Sequence, residues 1–433
     1  MPESSSPSNA SVPPRGPLLW ISAIVATAAA SGISGAFFLW SLDLVTRWHR
    51  AEPRLIWTLP LLGVGIWWIY HSTAGKAARG TNLLIEEARK PKGSVPFRLA
   101  PLILLTTLMT HLGGGSAGRE GTAVQLGGGI AGGIAHWMRL SHAQARIVLL
   151  AGMAAGFGAV FGTPWAGSLF AVECVRPERP DWRSLPACVL AAWMGHGVCM
   201  ACGAHHAHFD LGLAAHPGGW TGILQPLWLL GAVVGGLIFG GVARLYVLTG
   251  KTAAKEFGRI RIPWVRPVIG GLLIAVLTLA LDDRSYLGLG AVPMDPGDAS
   301  IQTAFGEGPI PRWAWAEKLV FTVLTLGSGF KGGEVTPLFF IGSTLGFVLA
   351  QSAGLPTGLG AAMGLTAVFG GASRAPIACT VLGMEMFGLR AGPFIALACA
   401  SAAWSCGRNG IYEAQLAPMK AETKPSPAKI TPP

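Results

Sequence analysis

Long uncharged stretches, separated by short basic clusters, run through most of this chain. The stretch from Leu18 to Leu42 has 25 residues without a charge, which exceeds the apolar part of a secretory signal and indicates a retained membrane helix. Other apolar segments are shorter than the ~20 residues that span a bilayer, or carry Gly clusters at 113–115 and 127–129 that we interpret as helix breaks. We therefore predict an all-α multi-pass membrane protein with about fifteen to eighteen unequal helices, many of them tilted, broken or re-entrant.

The composition excludes a soluble globular protein. Hydrophobic residues make up 51% of the 433 residues and charged residues only 12%, about half of the ~25% usual in soluble domains. The net charge of +11 comes from basic residues that flank apolar stretches, such as Arg47, Arg50 and Arg54, so it indicates a lipid bilayer and not nucleic acid as the partner. We expect the cell membrane as the location, the inner membrane in a bacterium. The chain has no nucleotide-binding or hydrolase motif, so we expect no cofactor.

A duplicated pattern divides the chain into two halves. Residues 159–173 and 367–385 both begin AVFG, and in each a Pro is followed by Ala two residues later and by Glu nine residues later. We predict a first transmembrane repeat at 18–205, a polar connector at 206–219 and a second repeat at 220–415, with disordered tails at 1–17 and 416–433. In membrane proteins built from such repeats, the substrate site lies where the halves meet, near the midplane.

Each half also contains a Gly-rich turn with one acid. The turns carry Glu120 and Glu334, and a Thr stands two residues after each acid. Glycines let the backbone N–H groups that follow, those of Gly121 and Val335, converge at a helix N-terminus, which is a cradle for a small anion without a cationic side chain in the path. A protonated carboxyl there donates to the anion, and an ionised carboxylate takes its place, so we expect both acids to face one anion. Alternatively, each Glu only interacts with its own helix dipole.

These turns resemble a known family, the CLC chloride channels and proton-coupled antiporters. The resemblance depends on GREG at 118–121, on the turn at 329–337, on the segment from Ser373 to Phe387 and on Tyr412 in GIYEAQ. It covers residues 18 to 415. It implies a homodimer in which each subunit has its own ion pathway, two halves inverted relative to each other, and a place for Tyr412 in that pathway.

Where the chain departs from the chloride members, it resembles the fluoride branch of the family, the CLC-F fluoride/proton antiporters. The chloride members' GSGIP turn is replaced by GTNLL, so that Asn82 stands near the place of the anion-binding Ser, and Glu334 replaces an apolar residue. The resemblance implies that Glu334, Thr336 and a downstream Phe, here Phe340, belong to the fluoride path. The internal proton-transfer Glu of many chloride antiporters aligns with Cys174, so protons are expected to use Glu120.

The resulting prediction is a fluoride/proton antiporter that exports fluoride while protons enter, with Glu120 as the gate and proton-coupling residue. The predicted anion path contains Glu334, Thr336, Val335, Gly121, Asn82, Tyr412 and Phe340. Two alternatives remain: a chloride-type CLC channel or transporter with an altered filter, and a membrane-embedded enzyme that uses Glu120 and Glu334 as acid and base. A nucleophile or metal motif beside these acids is missing from the sequence, so we predict that the chain is not an enzyme.

One cluster has the residue types of a zinc site. Cys199 and Cys202 are followed by His205, His206 and His208, and Cys and neutral His are zinc ligands. A second Cys or His cluster at ligand spacing does not complete the set, and the segment lies where a polar connector is expected. We therefore predict no metal site.

Overall fold

The computed structural model describes residues 16–90, 95–206, 211, 225–306, 308 and 310–416. In these residues the first eight helices are α1 (Pro17–Ala51), α2 (Leu59–Ile69), α3 (Thr81–Arg89), α4 (Leu99–Leu112), α5 (Glu120–Trp137), α6 (His142–Phe161), α7 (Pro164–Val175) and α8 (Leu185–Ala201). The next eight are α9 (Pro226–Gly258), α10 (Val265–Leu281), α11 (Ile301–Ala304), α12 (Ala314–Gly327), α13 (Val335–Ala353), α14 (Thr357–Ser373), α15 (Pro376–Phe387) and α16 (Gly392–Cys406). The described part of the chain has no β-strand, so the all-α fold class is confirmed.

Helix lengths vary as the sequence predicts. Within the described ranges, seven helical stretches are long and apolar enough to cross a membrane. Four are α1, α6, α9 and α13, and three join an α-helix to 3-10 or π turns: Pro53–Arg89, Trp182–Ala201 and Leu389–Cys406. By contrast, α4 has 14 residues and α7 and α15 have 12 each, too few to cross alone. The protein is therefore a multi-pass membrane protein in which partial helices pack inside the fold.

The two sets of eight helices pack in the same order. The contact of α5 with α6 is matched by that of α13 with α14, and the contact of α6 with α8 by that of α14 with α16. Across the halves, α7 packs on α15 and α2 on α10. Most of the predicted connector at 206–219 and both predicted tails, except residues 16, 17 and 416, lie outside the described residues. The domain boundaries therefore stay a prediction.

The two Gly clusters have different roles, and only one of them ends a helix. α4 ends at Leu112, just before 113–115, as expected. The cluster at 127–129 does not break α5, because these glycines form a helix contact: a Cβ on Gly127 would lie 2.0 Å from the carbonyl oxygen of Gly152 on α6. The equivalent pair of the second half, Gly342 and Gly364, is equally close, with 2.1 Å for the same measure. Small residues let membrane helices approach backbone to backbone.

The repeated Pro-to-Glu element has a structural reason in the contact of α7 with α15. Each helix begins at its Pro, a residue that suits the first helical position. The Glu173 carboxylate at the end of α7 accepts hydrogen bonds from two backbone N–H groups in the first turn of α15, at 3.1 and 2.7 Å. The Glu385 carboxylate accepts the corresponding pair from α7, at 3.0 and 2.7 Å. Each half thus caps a helix of the other half.

Candidate functional site

The two acidic turns pair with each other where the halves meet. Gly118 and Gly333 form an antiparallel bridge with N–H to O=C hydrogen bonds of 2.6 and 2.8 Å. A side chain does not fit at this bridge, since a Cβ on Gly333 would lie 2.8 Å from the backbone nitrogen of Gly121. The bridge sets the starts of α5 and α13 side by side, with Val335 as the first residue of α13. The N–H groups of such first turns lack acceptors within their own helix.

Glu120 is buried at the start of α5 and binds a residue of the other half. Its carboxyl accepts a hydrogen bond from the Thr336 hydroxyl and lies 3.3 Å from Nε of Arg119. The Thr336 hydroxyl oxygen in turn accepts from the backbone N–H of Arg119 at 3.3 Å. The carboxyl of Glu120 therefore occupies a place at the start of α13 where a bound anion would accept the same donor.

Glu120 and Thr336 line a cavity of about 570 Å³, which we call the Glu120 cavity. Arg119 and Phe339 also line it. Phe340, which the resemblance placed in the anion path, is fully buried elsewhere: its ring packs 6.1 Å from that of Tyr286, centre to centre. The sequence could not show this packing, because Tyr286 belongs to a loop more than fifty residues earlier. The structure thus brings Phe339, and not Phe340, to the cavity.

Glu334 lines a different space. A cavity of about 210 Å³, the Glu334 cavity, is lined by the first turns of α3 and α5 and by the turn that precedes α13, and its lining includes Asn82, Gly121, Glu334 and Tyr412. The N-termini of three helices converge there, which favours an anion. The sequence led us to expect both acids at one anion. The structure does not bring them together in this way, because Glu120 and Glu334 line separate cavities. A sequence repeat indicates that two groups are equivalent but not how far apart they lie.

A short segment after α16, residues 411–416, closes the Glu334 cavity, and we call it the strap. Tyr412 lies in the strap and is buried. The Asn82 side-chain oxygen accepts a hydrogen bond from the backbone N–H of Ala414 at 3.0 Å. The Gln415 amide nitrogen donates to the carbonyl oxygen of Cys174 at 2.8 Å. Cys174, at the place of the family's internal proton-transfer Glu, is therefore buried against the strap.

Cationic side chains at the Glu334 cavity are the feature that sequence reasoning missed. Lys331 and Arg79 line this cavity, and the Lys331 ammonium lies 4.6 Å from the centre of the Tyr70 ring. A neighbouring cavity of about 530 Å³ shares Asn82 and Glu334 and adds two further lysines, 251 and 255. We expected an anion cradle without a cationic side chain, but cationic side chains line this one. The sequence contained a signal for them, because Lys331 lies inside the second acidic turn.

The described residues give no support for a metal site. Cys199 is buried and Cys202 is exposed at the end of α8, and the ring of His206 stacks on that of His196 at 5.5 Å. Within the described ranges, no group of three or more His, Cys, Asp or Glu side chains is arranged to hold an ion. His208 lies outside the described residues.

Comparisons with known proteins agree with the geometry. Residues 62–407 match the family described as voltage gated chloride channel. The chain is 40% identical to a chloride/fluoride channel protein of Pseudomonas syringae pv. tomato over 413 residues, 95% of this chain and 89% of the relative. It is 30% identical to an H(+)/Cl(-) exchange transporter of Vibrio parahaemolyticus over 399 residues, 85% of this chain and 82% of the relative.

Solved structures give the same result. The chain is similar to the crystal structure of a CLC-type fluoride/proton antiporter, with a TM-score of 0.86, 34% identity, and coverage of 92% of this chain and 98% of that one. It is also similar to a slow cyanobacterial Cl-/H+ antiporter, with a TM-score of 0.77 and coverage of 91% and 96%. At 18% identity, this second likeness shows the fold alone.

Proposed function

Because the chain belongs to the voltage gated chloride channel (CLC) family of ion transporters, we propose that it is a fluoride/proton antiporter, which exports fluoride while protons enter the cell. Two relatives support fluoride as the substrate: the chloride/fluoride channel protein at 40% identity and the CLC-type fluoride/proton antiporter at 34% identity. The chemistry of the cavities agrees. Fluoride is small and strongly hydrated, so its removal from water requires short, charge-assisted donors.

The single observation that carries the mechanism is the hydrogen bond from Thr336 to Glu120 across the two halves. In the proposed cycle, ionised Glu120 holds this donor and closes the path. Protonation removes the negative charge, Glu120 leaves, and fluoride takes the hydroxyl of Thr336 and the N–H groups at the start of α13. Return of Glu120 after deprotonation releases fluoride to one side and the proton to the other.

The Glu334 cavity supplies the second binding step in this proposal. Helix N-termini, the Asn82 amide N–H groups, the Tyr412 hydroxyl and the Lys331 ammonium offer donors to fluoride there. Protonated Glu334 adds a further O–H donor to fluoride, and ionised Glu334 is a proton acceptor near the path. Glu120 and Glu334 therefore act in sequence on one transported ion.

The experiment is transport by purified protein in liposomes, followed with fluoride and chloride electrodes and an internal pH dye. We expect fluoride efflux to drive proton uptake, with fluoride selected over chloride by well above tenfold, or ~1.4 kcal/mol. Glu120→Gln should abolish the coupled proton movement because a Gln does not titrate. Glu256→Gln, a change at an exposed acid of α9, is the matched control and should retain coupling.

Other outcomes of the same assay decide between the alternatives. Equal fluoride and chloride efflux would identify a chloride-type CLC protein with an altered filter. Fluoride efflux without proton movement in wild type would identify a passive channel, and coupled exchange that persists in Glu120→Gln would contradict the gate. We infer from the transporter family that Glu120 and Glu334 serve ion movement and not acid–base catalysis.

We further propose that the protein is a homodimer in the bacterial cell membrane, each subunit with its own path. The named bacterial relatives support the location. The resemblance to the CLC family supports the dimer, and exposed apolar side chains on α7, α8, α15 and α16 are available for its contact: Trp165, Leu190, Trp193, Ile377 and Trp404. Light scattering on the detergent-solubilised protein tests the dimer. A monomeric mass at all concentrations would contradict it.

A further inference from the structure

Arginine side chains surround a cavity of about 200 Å³ beside the strap, apart from the anion path described above. We call it the arginine pocket, and its lining residues are Arg89, Arg176, Pro177, Glu178, Arg179, Arg374 and Gln415. Glu178 is the one acid among these lining residues. It is exposed, and its carboxylate binds outward to Arg408 at 3.1 Å and more loosely to Arg374 at 3.5 Å. The pocket therefore has a strong excess of positive charge.

The guanidinium group of Arg176 is held in place without an acceptor for each of its N–H groups. Nη2 of Arg176 donates to the carbonyl oxygen of Arg89 at 3.0 Å, but its Nε is buried and has no hydrogen-bond partner among the described residues. Arg374, whose side chain is 12% exposed, is fixed at the end of α14 and directed to the same cavity. A buried N–H group without an acceptor and like charges at close range both destabilise a fold unless an anion is bound.

We propose that the arginine pocket binds a phosphate with no more than one ester bond, either the phosphate monoester of a lipid headgroup or free inorganic phosphate. Guanidinium groups present forked N–H donors that match phosphate oxygens two at a time. The cavity volume of about 200 Å³ equals several water molecules at about 30 Å³ each, which is room for a phosphate group with a few waters. Trp182, at the start of the 3-10 turn that leads into α8, is 47% exposed, and exposed Trp is typical of the headgroup level of a membrane.

The pocket is connected to the ion path through the strap. Nη1 of Arg89 donates to the carbonyl oxygens of Ala414 and Gln415, both at 2.6 Å. The amide of Ala414 binds Asn82, which lines the Glu334 cavity. A bound phosphate offsets the repulsion among the arginines and so stabilises the strap, which Arg89 and Asn82 both bind from α3. The binding itself does not depend on which ion is transported.

The test measures thermal unfolding of the full-length protein with three additions. Inorganic phosphate is titrated in detergent, and separate samples are prepared in neutral phosphatidylcholine discs with phosphatidic acid, a phosphate monoester, or with phosphatidylglycerol, a diester. Arg176→Gln is the pocket variant. Arg408→Gln is the matched control, because it removes the same charge and contacts Glu178 but does not line the pocket. Arg179→Gln, at an exposed side chain, is a second pocket variant that does not depend on the folding of Arg176→Gln.

We expect phosphate or phosphatidic acid to raise the unfolding midpoint of wild type and of Arg408→Gln, with binding about tenfold or more weaker in Arg176→Gln. If inorganic phosphate and phosphatidic acid each raise the unfolding midpoint, free phosphate is a sufficient ligand. If phosphatidic acid alone raises it, the ligand is the lipid headgroup. General salting-out by phosphate raises all variants equally. The proposal is overturned by equal shifts in wild type and both pocket variants, by no shift with either addition, or by an equal effect of phosphatidylglycerol.

Discussion

Replacing Lys331 by Met removes one of the two cationic side chains, Lys331 and Arg79, that line the Glu334 cavity. The change keeps an unbranched apolar stem of similar length, and it leaves Asn82, Glu334 and the glycine bridge in place. Lys331 lies over the Tyr70 ring at 4.6 Å and is part of the turn that precedes α13. We expect weaker fluoride binding with little change in the maximal efflux rate, because the ammonium attracts the ion but does not gate its path.

The magnitude follows from the size of the cavity. A sphere with the cavity volume of 210 Å³ is about 7 Å across, so an anion inside it lies within roughly 7 Å of the lining ammonium group. At that separation, two unit charges interact by about 2.4 kcal/mol when the effective dielectric constant is about 20. Solvent reaches part of the Lys331 side chain, so we discount the value to about 1.4 kcal/mol, or about tenfold in affinity.

The assay is fluoride efflux from liposomes as a function of internal fluoride concentration. Lys331→Met should raise the half-saturating fluoride concentration about tenfold, and Lys331→Arg, which keeps the charge, should stay near wild type. Lys76→Met is the matched control, since Lys76 is exposed and does not line the Glu334 cavity. A half-saturating concentration within twofold of wild type in Lys331→Met, with normal folding, would refute the reasoning.

Three smaller perturbations test other parts of the geometry. Thr336→Val removes the donor for which Glu120 and fluoride compete in the proposed cycle, so it should raise the half-saturating fluoride concentration about tenfold, or ~1.4 kcal/mol, and lower the number of protons moved per fluoride in the electrode and pH-dye assay. Wild-type affinity and coupling in this variant would contradict the shared contact. Gly127→Ala places a methyl group 2.0 Å from a backbone oxygen of α6 and should lower the free energy of unfolding by about 1–3 kcal/mol. Gly197→Ala, inside α8, meets nothing within 4 Å and should not lower it, because Ala favours a helix over Gly. Equal unfolding midpoints of the two variants would exclude a tight contact at Gly127. Glu173→Gln removes the charge that caps α15 and should lower the free energy of unfolding by about 1 kcal/mol, measured by denaturant titration. A free energy of unfolding equal to that of wild type would show that the cap does not stabilise the fold.

The fold and the repeated elements could be predicted because they depend on local chemistry. Uncharged stretches indicate membrane helices, and the Pro-to-Glu spacing marks equivalent helices wherever they lie. The role of the glycines at 127–129 could not be predicted in this way. A Gly cluster is compatible with a helix break and with a close helix contact, and only the position of Gly152 on the neighbouring helix distinguishes the two.

The candidate site shows the same division. The sequence predicts that the turns of Glu120 and Glu334 occupy equivalent positions, and the bridge between Gly118 and Gly333 pairs them. It does not predict separate cavities, because a sequence repeat does not specify which residues of the other helices pack around each acid. The burial of Phe340 against Tyr286 likewise depends on a loop that is distant in the chain.

The contact between Thr336 and Glu120 explains how two ions can be coupled without a chain of acids between them. A hydroxyl group has one O–H donor, so Thr336 can donate to the Glu120 carboxyl or to fluoride, but not to both at once. Loss of the Glu120 charge on protonation weakens one of these two hydrogen bonds and leaves the other intact. In the proposed cycle, the protonation of Glu120 therefore decides which acceptor binds the hydroxyl, and fluoride advances only when Glu120 has taken a proton. In the proposed cycle, competition for one donor at the meeting point of the halves couples the two ions, and this coupling needs no acid at the position of Cys174.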